Sequence, residues 1–456
     1  MLDNDSLFQI FSHYRLKREK NWNLQLKWRK LTHVCRRWRW LIYDLWTHLD
    51  MALLLTKNSP SIDTLSHLPP LPLLVDYSNG ARTITREDED NMQRGLRQHG
   101  RVRRVTLRAS PSSLCMWLKP MDNLFPKLED LSLSSTTMEM HPMLPKTFRA
   151  PGLRRLSLHG VGLPRGLPLL SSAIALSSLS LTHIGASSYF PPVDLITQLC
   201  SLPHLEVLSI GFAIPISHPS REGELLPPPI PPVTLPTLRQ LTFRGMSDYL
   251  DNLVAQVNTP ILKQLNLTLF SELDFTFLNL TKFIRRWQRA EVFGCLVARV
   301  IFNKDGASVH AGYEQQGIGR ISLHVNCDPL NRRIDSATQV CSALGDVVSA
   351  VEELTLDHYV DGTPSPWRDL ESLNSMRWLE LLLPFVGVKK LHIGYSLTLQ
   401  LSQALESVSE GLVLGLLPGL QELEVPLRTT ERAANAFSVF TTTRESVGHP
   451  IRLVRT

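Results

Sequence analysis

A chain of 456 residues, 43% hydrophobic and 20% charged, has the composition of a folded protein and exceeds the length of one ordinary domain, so several domains or a repeat array are expected. The net charge of +6 is concentrated at one end: residues 1–50 hold ten Lys or Arg against five acids, and the rest is nearly balanced. No run approaches the ~18–20 apolar residues of a membrane span, the first residues carry acid where a signal peptide carries base, and six scattered cysteines form no CxxC pair. A reducing cytoplasmic and/or nuclear location is expected, with secretion and membrane insertion disfavoured.

In chain order, Leu7, Ile10, Phe11 and Tyr14 share one face of a predicted short helix. Trp28, Leu31, Val34, Cys35, Trp38, Leu41, Ile42 and Leu45 predict a second helix, whose other positions hold Arg29, Lys30, Arg36, Arg37 and Arg39. Each helix has an apolar stripe and a basic back. So small a segment buries only part of its apolar surface by itself, so a partner is expected in this chain or another. Because the tryptophans fall with leucine and valine on the stripe, base stacking on nucleic acid is disfavoured.

The stretch LDNDSLFQIF at 2–11 resembles the opening of an F-box, and WRKLTHVCRRWR at 28–39 is similar to its WxxLxxVCrxWr half. Asp3 stands where the motif usually has proline. The resemblance implies docking to the Skp-type adaptor of a cullin-RING ubiquitin ligase, through Leu2, Leu7, Ile10, Phe11, Leu31, Val34, Cys35 and Trp38.

Beyond residue 100 one pattern returns: PKLEDLSL, PGLRRLSL, PHLEVLSI, PTLRQLTF, PILKQLNL and PGLQELEV, with looser copies such as LSSLSL, VEELTL and VKKLHI. Successive copies begin 23 to 37 residues apart except for one gap of 56, which predicts a hidden strand near 294–302. In LxxLxL the last two apolar residues point inward and the residue between them outward. Helices are predicted at 88–99, 248–257, 336–351 and 399–416, so helix, turn and strand recur as in an α/β solenoid with a parallel sheet. The copies resemble the leucine-rich repeats found C-terminal to F-boxes, without the usual Asn or Cys, which Thr136, Val161 and Ile184 replace. Nearly the whole chain is similar to fungal F-box proteins with degenerate repeats.

The resulting fold expectation is α/β, an N-terminal helical F-box-like module followed by an irregular leucine-rich-repeat solenoid with parallel sheet. Its parts are a helical module at 1–50, a connecting segment with the first solenoid elements at 51–100, the solenoid at 101–428, and a C-terminal cap at 429–456. The six prolines of 225–236 predict a loop.

The outward strand positions Ser132, Ser157, Ser180, Ser209, Thr242 and Asn266, continued by Ser322, Thr355, His392 and Glu424 and flanked by Arg155 and Arg239, suggest a hydrogen-bonding surface for a protein target. No phosphate-binding glycine loop, HExxH or GxSxG motif occurs, and His324 and Cys327 lack the further ligands a zinc site requires. The expectation is a non-enzymatic subunit without metal or cofactor. Its partners would be the adaptor and a protein target, with no membrane and with nucleic acid disfavoured. The other reading is a ligase-independent interaction scaffold.

Overall fold

A computed structural model describes residues 3–13, 29–44, 52–57, 59, 71–78, 84–137, 141–164, 166, 168–215, 232–270, 278–290, 297–312, 321–327, 330–358, 375–408 and 415–456. The chain divides into two compact units, Met1–Ala213 and Ile214–Thr456. Both are mixed α/β with a mostly parallel sheet, and thirteen α-helices occur among the described residues. None of these helices is long and apolar enough to cross a membrane.

The first unit opens with α1 (Asn4–His13), α2 (Arg29–Thr32) and α3 (Arg36–Asp44). Seven strands follow, β1 (Leu53–Leu55), β2 (Leu73–Tyr77), β3 (Val102–Ala109), β4 (Asp130–Ser135), β5 (Arg155–His159), β6 (Ser178–Ile184) and β7 (Val207–Phe212). They lie side by side in chain order, each parallel to the next. Parallel neighbours need a long return path, and the repeat interval supplies it through α4 (Arg86–Arg97), α5 (Pro111–Trp117), α6 (Pro168–Ser172) and α7 (Pro192–Leu199). The boundary of α4 falls earlier than its apolar pattern predicts. Thr85 and Asp88 form a reciprocal capping box that starts the helix at Arg86.

All three apolar positions of each motif are buried, as Leu153, Leu156 and Leu158 show, with Ser157 half-buried between the last two. Each such leucine contributes about 1.5–3 kcal/mol relative to exposure. Val161 and Ile184, three residues beyond the last apolar position of their motifs, are buried, so apolar packing fills those turns. Thr136 is exposed there instead.

The second unit departs from this regularity. Its sheet contains β9 (Gln240–Gly245), β11 (Gln264–Leu269), β12 (Val297–Asn303), β13 (Gly306–Ala311), β14 (Ile321–Asn326), β15 (Glu353–His358), β16 (Lys390–Ile393), β17 (Glu422–Val425) and β18 (Arg452–Arg455). Their spatial order is β9-β11-β14-β13-β12-β15-β16-β17-β18. The hidden strand expected near 294–302 is present as β12, but β13 runs antiparallel to both its neighbours. The expectation of an all-parallel sheet is therefore corrected here. Lys304 and Asp305 alone join β12 to β13, too short a link for a crossover, so the chain must reverse. A side chain on Gly306 would strike the Val325 carbonyl. Buried Arg333 donates from Nε to the Cys327 carbonyl at 3.2 Å and from Nη2 to the Lys304 carbonyl at 2.9 Å, tying the hairpin turn to the exit of β14.

The helices of this unit are α8 (Ser247–Ala255), α9 (Leu278–Ala290), α10 (Leu330–Ser349), α11 (Ser375–Leu382), α12 (Thr398–Glu406) and α13 (Glu431–Ser446). The helix expected over 399–416 ends at Glu406; its later part, 409–414, lies outside the described residues. Most of the proline-rich segment 225–236 also lies outside them. Its end forms β8 (Val233–Thr234), paired in parallel with β10 (Val257–Asn258) as a separate two-stranded sheet.

The expected cap at 429–456 is a helix plus a strand. Ala433, Ala436, Phe437 and Phe440 of α13 are buried, and β18 extends the sheet in parallel from β17. Arg444, fully buried, donates to the carbonyls of Leu416, Leu417 and Pro418 at 3.2–3.4 Å, holding the turn in which Leu417 has φ +49°.

Candidate functional site

The N-terminal helices form one candidate surface. Asp3 caps α1, its Oδ1 accepting from the Ser6 N–H at 2.7 Å, and that bond holds its carboxyl below the usual carboxylate range. Thus the Asp3 side chain starts the helix. Leu7 and Phe11, one turn apart on α1, are buried, as are Leu31, Leu41 and Ile42. Phe11 meets Trp38 edge-on with ring centroids 5.1 Å apart, and Arg37 Nη2 donates to Asn4 Oδ1 at 2.6 Å. The apolar stripes therefore do pack on one another.

The continuous helix expected through Leu31–Trp38 is broken. The His33 and Val34 N–H groups turn back to the carbonyls of Lys30 and Leu31, closing α2. Cys35 then caps α3, its sulfur 3.5 Å from the Trp38 N and its carbonyl accepting from Arg39. Polar atoms at Cys35 satisfy the new helix start, so the chain turns a corner there.

That corner divides the eight residues assigned to the adaptor. Leu7, Phe11 and Leu31 lie in the small core, and Leu2 lies outside the described residues. Val34 is 58% exposed and Cys35 exposed, with Ile10 and Trp38 half-buried. Trp40, 54% exposed with Arg36 and Arg39 also exposed, runs against the expectation that the tryptophans share the apolar stripe.

The second candidate surface is the accessible face of each sheet. In the first unit Ser132, Ser157, Ser180 and Ser209 occupy successive in-register positions on β4 to β7, all half-buried. Two residues nearer the strand starts, on the same face, Asp130 accepts from both Arg104 and Arg155, at 3.1 and 3.0 Å. In the second unit Thr242, Asn266 and Ser322 are in register on β9, β11 and β14. The row continues through His310 and Arg299 to Thr355, His392 and Glu424. His310 and Arg299 escaped sequence reasoning because the reversed order inserts them, although Asp305-Gly306 between two alternating runs is a hairpin signal. Arg239 is not in the row. It lies exposed before β9, where its carbonyl accepts from the N–H groups of Lys263 and Gln264.

At the end of that row, Lys390 Nζ lies 2.7 Å from Glu424 and 3.2 Å from Glu422, and the bond to Lys390 holds the Glu424 carboxyl below its ordinary range. His324 shares a 2.7 Å hydrogen bond with Ser308, and Cys327 is buried with its thiol directed to the Val325 carbonyl. Burial pushes the Cys341 thiol up to about 12, which keeps it protonated. Among the described residues no three His, Cys, Asp or Glu side chains gather as a metal site. No family model matches the chain, and no curated protein matches it. The two surfaces expose hydrogen-bonding side chains on the sheets and apolar ones at the N-terminal helices.

Proposed function

We propose that this protein is the substrate-recognition subunit of an SCF-type ubiquitin ligase. The N-terminal helices act as an F-box that docks the Skp-type adaptor, and the leucine-rich-repeat solenoid presents a protein target. Ubiquitin chemistry takes place on other subunits, and this chain acts by raising the target's local concentration there. The observation that carries the reading is the corner at Val34 and Cys35: the helices have already closed a core on Leu7, Phe11, Leu31, Leu41 and Ile42, yet Val34, Cys35 and part of Trp38 stay at the surface. Apolar and aromatic groups left outside a completed core have the composition of interface anchors.

The ligase-independent scaffold draws support from Leu7, Phe11 and Leu31, which serve this chain's own packing. That reading calls for a Trp38 shielded within the chain, and Trp38 is half-exposed.

The test is binding of purified Skp-type adaptor to the full chain by calorimetry. Val34→Asp should abolish binding while leaving the circular dichroism unchanged, because Val34 supports no core. Leu31→Ala is a poor test, since it damages the core itself. Absent adaptor binding by the wild type, or equal binding by Val34→Asp, would overturn the proposal in favour of the scaffold.

A further inference from the structure

The last strand of the second unit's sheet has an open edge. β18 pairs in parallel with β17, and among the described residues no strand lies on its other side. The Arg452 and Thr456 N–H groups donate to the carbonyls of Gln421 and Val425, and the Thr456 carbonyl accepts from Leu427. In a parallel ladder, alternate residues of a strand turn both backbone groups toward the same neighbour. Arg452, Val454 and Thr456 therefore serve β17, while Leu453 and Arg455 direct their N–H and C=O groups outward. Such a row is a template for a further strand.

The side chains along that edge set what an added strand must carry. Leu453 continues the in-register row Leu354, Leu391 and Leu423. Those three are at most 1% exposed, whereas Leu453 is half-buried, because the row ends there without its next member. Arg452 and Arg455 flank it, both exposed and on opposite faces of the strand. Arg455 forms no ion pair among the described residues. Arg452 reaches Glu422 only at 3.8 Å, and Lys390 already holds that carboxylate at 3.2 Å. Over residues 426–456 the exposed charges are Arg428, Arg432, Arg452 and Arg455 against Glu431 and Glu445, so this end of the unit is basic. Two copies meeting edge to edge would gather both arginines of each strand, which disfavours self-pairing.

We propose that the free edge of β18 takes up an extended acidic segment of a partner protein as an additional strand, with the pattern acid–apolar–apolar–acid. The acids meet Arg452 and Arg455, and the apolar residue opposite Leu453 extends the leucine row. The pattern reads the same in both directions, so it suits a parallel or an antiparallel segment. Main-chain hydrogen bonds supply the attachment and side chains the selectivity. The site shares no element with α1–α3 and stands whether or not those helices dock an adaptor.

The experiment is fluorescence anisotropy of the labelled peptide Ser-Glu-Val-Val-Glu-Ser titrated with the full chain. Saturable binding is expected, and a copy methylated at its core amide nitrogens should not bind although its charges are unchanged. Leu453→Pro removes an outward N–H that β17 does not use. It should bind about 2–10-fold more weakly than Leu453→Ala, which loses the same side chain but keeps the donor. Arg455→Glu, at an exposed position, should weaken binding about 2–30-fold, and a Glu-Val-Val-Lys core should recover it. No saturable binding, equal binding of the methylated peptide, or equal binding by Arg455→Glu would overturn the site. So would sedimentation showing a wild-type dimer that Leu453→Pro abolishes, since the edge would then pair with its own copy.

Discussion

In the first unit the chain lays seven strands side by side in the order it makes them, all parallel; in the second it reverses β12, β13 and β14 and turns β13 around. Both use the same inward–outward alternation, since β4 and β12 each bury alternate residues. Alternation is indifferent to strand direction, because either direction presents the same side chains to the same face. Direction is set by the connection: about twenty intervening residues allow a crossover, and two force a hairpin. The second unit also holds its reversal with specific devices, Gly306 against Val325 and Arg333 across the hairpin turn.

Breaking the packing of the reversed region should have the largest effect. Phe302 on β12 is fully buried and meets Trp378 of α11 edge-on at 5.5 Å. Phe302→Ala should cost about 3–5 kcal/mol by urea unfolding, more than Ile196→Val on α7 of the first unit at about 0.5–1.5 kcal/mol. Gly306→Ala comes next, at about 1–3 kcal/mol, because the new methyl meets backbone, which yields less readily than a side chain. Were it as stable as the wild type, the close approach at the hairpin would not control the reversal.

Acid should separate the two units. His310, His324 and His358 in the second unit and His159 in the first all have pKa values lowered, chiefly by burial. A histidine with a lowered folded pKa binds fewer protons folded than unfolded. Its stabilising share is thus complete above the unfolded pKa of about 6.5 and lost as the pH falls below it. Around the second-unit group, Arg299 faces His310, Arg244 and Asp305 act on His324, and Arg333 and Asp357 on His358. Hydrogen exchange read by mass spectrometry should show protection falling in β12–β15 before β2–β7 as pH drops from 7 to 5. Equal loss in both would remove the distinction. The smallest effect is expected from Arg155→Ala, whose exposed pairing with Asp130 is worth ~0–1 kcal/mol, in chemical denaturation at moderate salt.

Much of this fold was legible. The outward positions Ser132, Ser157, Ser180 and Ser209 fall in register because each LxxLxL copy begins its strand at the same point of the motif, and β12 was visible as an apolar run. The hairpin signal Asp305-Gly306 was present but competed with the expectation of one strand per repeat. Less legible was the corner at Cys35. Helical spacing runs unbroken through Leu31, Val34, Cys35 and Trp38, and a thiol is a weak cap to recognise.

Periodicity and composition thus determined which residues can be strands, which face of each is apolar, and that basic and aromatic groups concentrate at the start. These are local properties, fixed by side-chain chemistry and backbone geometry over a few residues. The tertiary structure alone decided strand order around β13, the division of the N-terminal apolar residues between core and surface, and which edge of β18 stays open. Each depends on where the chain returns after a connection, and short-range spacing does not encode that path.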